Sequence, residues 1–188
     1  MKQYFSTYRT ELKDTIDKID ESMVEKLYEL LNMAKENGKR IFVLGNGGSA
    51  AAASHWVCDF GKGINVDNSK RMKISSPSDA CSIVTAIGND FSYGDIFSEQ
   101  LRNFLEAGDL VISLSVSGNS QNLVRAHEFA KKNGAVTAAI IGDYNGKLAM
   151  CSDLVLTIPS KNYGIVEDIH LCIDHAISQY MRLLNERK

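Results

Sequence analysis

One stretch limits this chain more than any other: an apolar run, a glycine-rich loop and an alanine-rich run in direct succession. Arg40-Ile41-Phe42-Val43-Leu44 reads as a short, fully buried strand. Ala50-Ala51-Ala52-Ala53-Ser54-His55-Trp56-Val57 is strong helix-former sequence. Between them stand Gly45, Gly47 and Gly48. Glycine admits positive φ and lets a ligand approach the backbone. The free amides and dipole of the helix start favour an anion. Ser49 is expected at the N-cap, where it either caps the helix or bonds an oxyanion. A tight turn alone does not need three glycines in four positions, so a ligand loop is the expectation.

The spacing Gly45-x-Gly47-x-x-Ala50 also satisfies a dinucleotide fingerprint, which requires an acidic residue closing the second strand. The next strand candidate, Arg71 to Ser76, ends in serines, and Asp67 precedes it. No nucleotide cofactor is expected.

The helices and strands around this loop set the fold class. Residues 1–38 carry apolar positions at helical spacing: Phe5, Tyr8, Leu12, Ile16 and Ile19, then Met23, Leu27, Leu30, Leu31 and Met33 after an acidic break. Ser22 is expected to cap the second helix, which ends at Gly38. From residue 40, strands alternate with helices. Strands are expected at 72–75, 109–114, 135–141 and 153–158. Helices are expected from an Asp79 cap over Ile83 to Ile87, over 96–105 up to Gly108, from Ser120 to Lys132, near Leu148, and over 165–184. The segment Gly61 to Lys70 and the stretch Gly88-Asn89-Asp90-Phe91-Ser92-Tyr93-Gly94 read as loops. Such alternation builds a three-layer, doubly wound parallel sheet of the α/β class, flavodoxin-like, preceded by a helical hairpin. Ligands bind such sheets at the strand C-terminal edge.

The 188 residues fit one domain, with 1–38 as leading helices and 39–188 as the α/β core. The leading helices pack on the chain's own sheet or on another subunit. A net charge of −2 gives no general affinity for nucleic acid or a membrane surface. No apolar run is long enough for a membrane span, and the N-terminus lacks the apolar core of a signal peptide. Cys58, Cys81, Cys151 and Cys172 are scattered and read as reduced, mostly buried thiols, so a cytoplasmic protein is expected.

A second loop, Ser115-x-Ser117-Gly118-Asn119-Ser120, opens a helix. Hydroxyls beside unpaired helix amides make a phosphate cradle, and without a Walker lysine it does not suit ATP-type phosphoryl transfer. A good N-cap at Ser120 alone would not require Ser115 and Ser117. Two anion loops at one sheet edge suggest a small phosphorylated metabolite such as a sugar phosphate.

The stretches Gly45-Asn46-Gly47-Gly48-Ser49-Ala50, Thr85-Ala86-Ile87-Gly88-Asn89-Asp90, Ser115-x-Ser117-Gly118-Asn119-Ser120 and Glu167-Asp168-Ile169-His170 to His175 resemble the sugar isomerase (SIS) domain family. Within it they are similar to the phosphoheptose isomerase branch. The resemblance implies isomerisation of sedoheptulose 7-phosphate to D-glycero-D-manno-heptose 7-phosphate, or a close analogue, through an enediol, in heptose biosynthesis. It implies a homotetramer with active sites between subunits. It implies phosphate or sugar contacts from Asn46, Gly47, Gly48, Ser49, Asn89, Asp90, Ser115, Ser117, Asn119 and Ser120. Family equivalents of His55, Asp59, Glu167 and His175 are His, Glu, Gln and His, which bind zinc and serve acid–base chemistry. The resemblance thus implies a divalent metal, zinc, on those four positions, with Asp59 as base and His175 as acid. Asp59 is one methylene shorter than its family counterpart, and Glu167 adds a charge in place of an amide.

From the residues alone, His55 and Asp59 share a helix face as an i, i+4 pair, which is also an ordinary surface pairing. His170 and His175 diverge by about 140° on a helix, so they cannot serve one site, and His170 reads as a packed core histidine. The alternative function is a non-catalytic SIS module that senses a phosphosugar or binds a protein, for which a set of acids and histidines has no use.

Overall fold

Parallel strands cannot be joined by tight turns, and the helices of this chain supply the crossovers. A computed structural model of the chain describes residues 1–67 and 69–187. Two helices come first, α1 (Lys2–Ile16) and α2 (Glu21–Glu36). Strands β1 (Arg40–Leu44), β2 (Lys73–Ser75), β3 (Leu110–Ser115), β4 (Val136–Gly142) and β5 (Leu154–Ile158) then alternate with α3 (Gly48–Cys58), α4 (Cys81–Asp90), α5 (Ser98–Phe104), α6 (Gln121–Lys132), α7 (Leu148–Cys151) and α8 (Tyr163–Glu186). The sheet is parallel with order β2-β1-β3-β4-β5. This is the doubly wound α/β architecture that the alternation predicts.

Side chains alternate across the sheet and divide the core in two. Ile41, Val43, Ile112 and Ile140 meet α2, α3 and α8, while Phe42, Leu44, Val111 and Ile141 meet α4 to α7. Trp56 of α3 is fully buried, and its Nε1 donates to the His170 carbonyl of α8 at 3.2 Å. At about 25 cal/mol per Å² such a ring contributes several kcal/mol, which fixes α3 against α8.

The topology places the two loops together. β1 and β3 are hydrogen-bonded neighbours, with Leu44 opposite Ser113. From β1 the chain goes to β2 on one side; from β3 it goes to β4 and β5 on the other. The glycine loop after β1 and the serine loop after β3 therefore emerge side by side at the point where the winding reverses.

Several local expectations differ from the structure. Gly47, at φ +55°, is the N-cap of α3, so Ser49 lies one step inside the helix and does not cap it. The positive φ that turns strand into helix is available to glycine and not, without strain, to serine. Asp20, not Ser22, caps α2; it accepts from the Ser22 amide at 3.0 Å. Asp79 does not cap α4 but ends a short 3₁₀ turn and accepts a hydrogen bond from Ser54 on α3. Asn89 and Asp90 are the last turn of α4 rather than a loop. β2 begins at Lys73, and α5 ends at Phe104, four residues before Gly108. The cysteines are not buried as expected: Cys58, Cys81 and Cys172 lie on solvent-facing sides of their helices and Cys151 is half-buried. In the polar segment Gly61 to Lys70, residues 61–63 continue a π turn that starts at Asp59; Asn68 lies outside the described residues.

Candidate active site

Asn46, Ser49, Ser115, Ser117, Ser120 and Glu167 line one cleft of about 130 Å³ at the sheet edge. Gly118, at φ +63°, turns the serine loop, which is pinned by the Gly118 amide donating to Ser115 Oγ at 3.1 Å and the Asn119 amide donating to Ser117 Oγ at 3.2 Å. Asn119 Oδ1 accepts from the Lys147 amide at 3.1 Å, so its side chain braces the loop from outside. Ser120 is the N-cap residue of α6 but makes no capping bond with its side chain; the amides of Gln121 and Asn122 stay open among the described residues, while the Leu123 amide donates to Asn122 Oδ1 at 2.9 Å. Asn46 is held by a reciprocal amide pair with Asn122, at 2.9 and 3.0 Å, and accepts from Tyr93 Oη at 2.9 Å. Tyr93 and Asn122 carried no sequence signal for this role. Asn89 and Asp90, joined to each other at 2.9 Å, are exposed in the last turn of α4 and are not among the residues that line the cleft.

A second group stands further along the same two helices. His55 Nε2 faces His175 Nε2 at 2.9 Å. Asp59 Oδ2 lies 3.7 Å from His55 Nε2 and 3.8 Å from His175 Nε2. Asp174 Oδ2 lies 3.9 Å from His55 Nε2. One ligand atom from each of these four residues falls within 4.8 Å of the others. Asp59 closes the α turn that carries His55 and opens the π turn Asp59–Gly63, a wide-turn irregularity often found at functional sites.

Glu167 is not in this group. It precedes His175 by eight residues, which is about 12 Å of helix rise. Its carboxylate instead lies over Gly48, where an added Cβ would stand 2.4 Å from Oε1. α3 and α8 thus run side by side in the same direction. They touch at two levels: Gly48 with Glu167 near the phosphate-type loops, and His55 and Asp59 with Asp174 and His175 below.

Asp174 was not legible as a site residue, although one signal was present. Ile169, Ile173, Ile177 and Met181 form the buried stripe of α8, and residue 174 falls on its margin. The carboxyl is fully buried, and neither oxygen has a hydrogen-bond partner among the described residues. Burial, and then the charge of Asp59, push its pKa up from 3.8 to about 8. His170 is buried as expected, with Nε2 at 3.1 Å from the Ile140 carbonyl. Burial pulls its pKa down to about 4, against the effect of that carbonyl, so it is a neutral core residue.

Two imidazole nitrogens and two carboxylates suit zinc. A tetrahedron with bonds near 2.0–2.1 Å has edges of about 3.3 Å; four of the six separations here run from 2.9 to 3.9 Å, and all six lie within 4.8 Å. The orphaned buried carboxyl of Asp174 is the observation that asks for a cation.

Comparison with known proteins identifies the family. The SIS domain family model matches residues 3–142, a span that ends before α8. The phosphoheptose isomerase of Sulfurimonas denitrificans is 36% identical over 170 residues, 89% of this chain and 86% of that protein. The solved phosphoheptose isomerase of Neisseria gonorrhoeae superposes with a TM-score of 0.88 at 26% identity, covering 96% of this chain and 97% of that one. That of Francisella tularensis, at 22% identity, shares the fold with a TM-score of 0.84 over 96% and 95% of the two chains.

Proposed function

Since the chain belongs to the SIS domain family, and within it to the phosphoheptose isomerases, we propose that it interconverts sedoheptulose 7-phosphate and D-glycero-D-manno-heptose 7-phosphate. One observation carries the reading beyond the relatives' names. The phosphate-type loops and the acid–base group lie two helical turns apart, about 10 Å along α3 from Gly48 to His55. With C–C bonds of about 1.5 Å, an extended seven-carbon sugar bearing a terminal phosphate spans such a distance.

In this reading the amides at the starts of α3 and α6, with Ser49, Ser115, Ser117 and Ser120, hold the phosphate. Asn46, pre-oriented by Asn122 and Tyr93, meets the sugar chain. The reacting carbons then lie beside Asp59 and His175. Aldose–ketose interconversion moves a proton between neighbouring carbons through an enediol. Asp59 takes the carbon-bound proton, and His175 serves the adjacent oxygen as acid. His55, Asp59 and His175 are of the types that hold zinc, and a bound zinc supplies Lewis-acid polarisation of a carbonyl oxygen. The exposed apolar residues Tyr4, Phe5, Tyr180 and Leu183 on α1 and α8 support a homotetramer. Asn89 and Asp90, exposed at the end of α4, contribute across the subunit boundaries. The free thiols at all four cysteines suit the cytoplasm, and no helix is long and apolar enough to cross a membrane.

Proton NMR in D₂O with sedoheptulose 7-phosphate tests the function. Exchange of a carbon-bound proton with appearance of the aldose is expected. Binding without exchange would replace the enzyme with a phosphosugar-sensing module, and absence of binding would overturn both.

A further inference from the structure

We propose that Asp174, and not Glu167, is the fourth donor of a metal site with His55, Asp59 and His175, an inference that rests on the metal-assisted reading above. Asp174 is fully buried, lacks a hydrogen-bond partner on either oxygen, and has one oxygen 3.9 Å from His55 Nε2. An ionised carboxylate in that position without a counter-charge is strongly disfavoured, so a buried carboxyl is paired, binds a metal or stays protonated. The described residues around it offer no cationic partner other than the imidazoles of the same group. In this structure the Glu167 carboxylate sits over Gly48 and is not part of the group.

The substitution of donors alters the chemistry of the site. Two carboxylates and two neutral imidazoles balance the charge of a divalent cation. One carboxylate, one amide and two imidazoles leave a net positive charge. The site built here therefore holds its cation more tightly and polarises a bound carbonyl less. Glu167 is left free on the phosphate side, where it can accept a hydrogen bond from a sugar hydroxyl.

The test is a zinc titration of metal-stripped protein in competition with a chromophoric chelator, on the parent chain, Asp174→Asn and Glu167→Ala. Visible absorption after cobalt(II) substitution gives a second readout of four-coordinate geometry. The parent is expected to bind one zinc per chain. Asp174→Asn should weaken binding at least about tenfold, the loss seen even for outer partners of a metal site, and should lower the cobalt absorption. Glu167→Ala, which removes every donor at that position, should leave zinc affinity in place. Asp174→Leu, which suits the apolar stripe, repeats the test if the amide variant does not fold. Unchanged zinc affinity in the Asp174 variants, or an equal loss in Glu167→Ala, would overturn the assignment. A parent chain that binds no zinc would overturn it too, and sugar isomerisation by that same preparation would show the isomerase reading surviving on its own.

Discussion

Asp174 also sets a sharp expectation for the metal-free protein. In the folded chain its carboxyl has a pKa of about 8, against 3.8 as a free side chain. A carboxyl whose folded pKa is raised contributes stability that is fully present below pH 3.8 and is lost as pH climbs toward 8. Each pH unit inside that window costs about 1.4 kcal/mol. Between pH 4.5 and 7.5 the parent chain should lose about 4 kcal/mol from this group alone. Asp174→Asn has nothing to titrate there, and its unpartnered amide carries a cost similar to that of the unpartnered protonated carboxyl, about 1–3 kcal/mol. The variant should therefore be close to the parent in stability near pH 4.5 and more stable near pH 7.5. The assay is urea unfolding of both proteins in EDTA, at one protein concentration and three pH values, since an oligomer's stability depends on concentration. Stability curves that run parallel across the whole range would refute the reasoning, because the carboxyl would then titrate at its ordinary value.

Three further outcomes are expected. His127 and His170, both buried, have pKa values lowered to about 4, in each case chiefly by burial; they stay neutral in the folded state, and their stabilising contribution is lost as pH falls from 6.5 through 4, about 3 kcal/mol each. Imidazole ¹⁵N NMR should show both as neutral tautomers at pH 5.5, while charged rings there would refute this. Gly48→Ala places a Cβ 2.4 Å from Glu167 Oε1, so the carboxylate must move; the KM for the sugar phosphate should rise while thermal stability holds, as alanine favours the helix by up to about 1 kcal/mol. Tyr8→Phe removes a 2.6 Å hydrogen bond to Asp168 beside the cleft, at a cost of about 1 kcal/mol in urea unfolding; the parent phenol, pushed up to about 12 by burial and then Asp168, should resist ultraviolet titration at pH 11.

Much of the architecture was legible because it rests on short-range physics. The alternation of apolar strands with helical stretches predicts the parallel sheet, and the glycines at 45, 47 and 48 and the serines at 115, 117 and 120 mark the two loops at its edge. These are properties of spacing and backbone freedom, carried by neighbours in the chain. The misplaced caps show how local the margin is. Ser49, Ser22 and Asp79 are all good capping types, yet the positive φ at Gly47, the carboxylate of Asp20 and the hydroxyl of Ser54 decided those helix starts and side-chain partners.

Spacing and residue type alone determined the α/β fold and the glycine and serine loops at its edge, and the resemblance to phosphoheptose isomerases singled out His55, Asp59 and His175 for acid–base or metal chemistry. Only the tertiary structure decided which carboxylate joins them. Glu167 and Asp174 are both acidic residues on one helix, and nothing in the linear order ranks them. The packing of Trp56 against α8 sets α3 and α8 parallel, so that Gly48 meets Glu167 and His55 meets His175. That alignment buries Asp174 without a partner beside two imidazoles and leaves Glu167 two turns away, because contacts between helices depend on their relative register, which no single helix encodes.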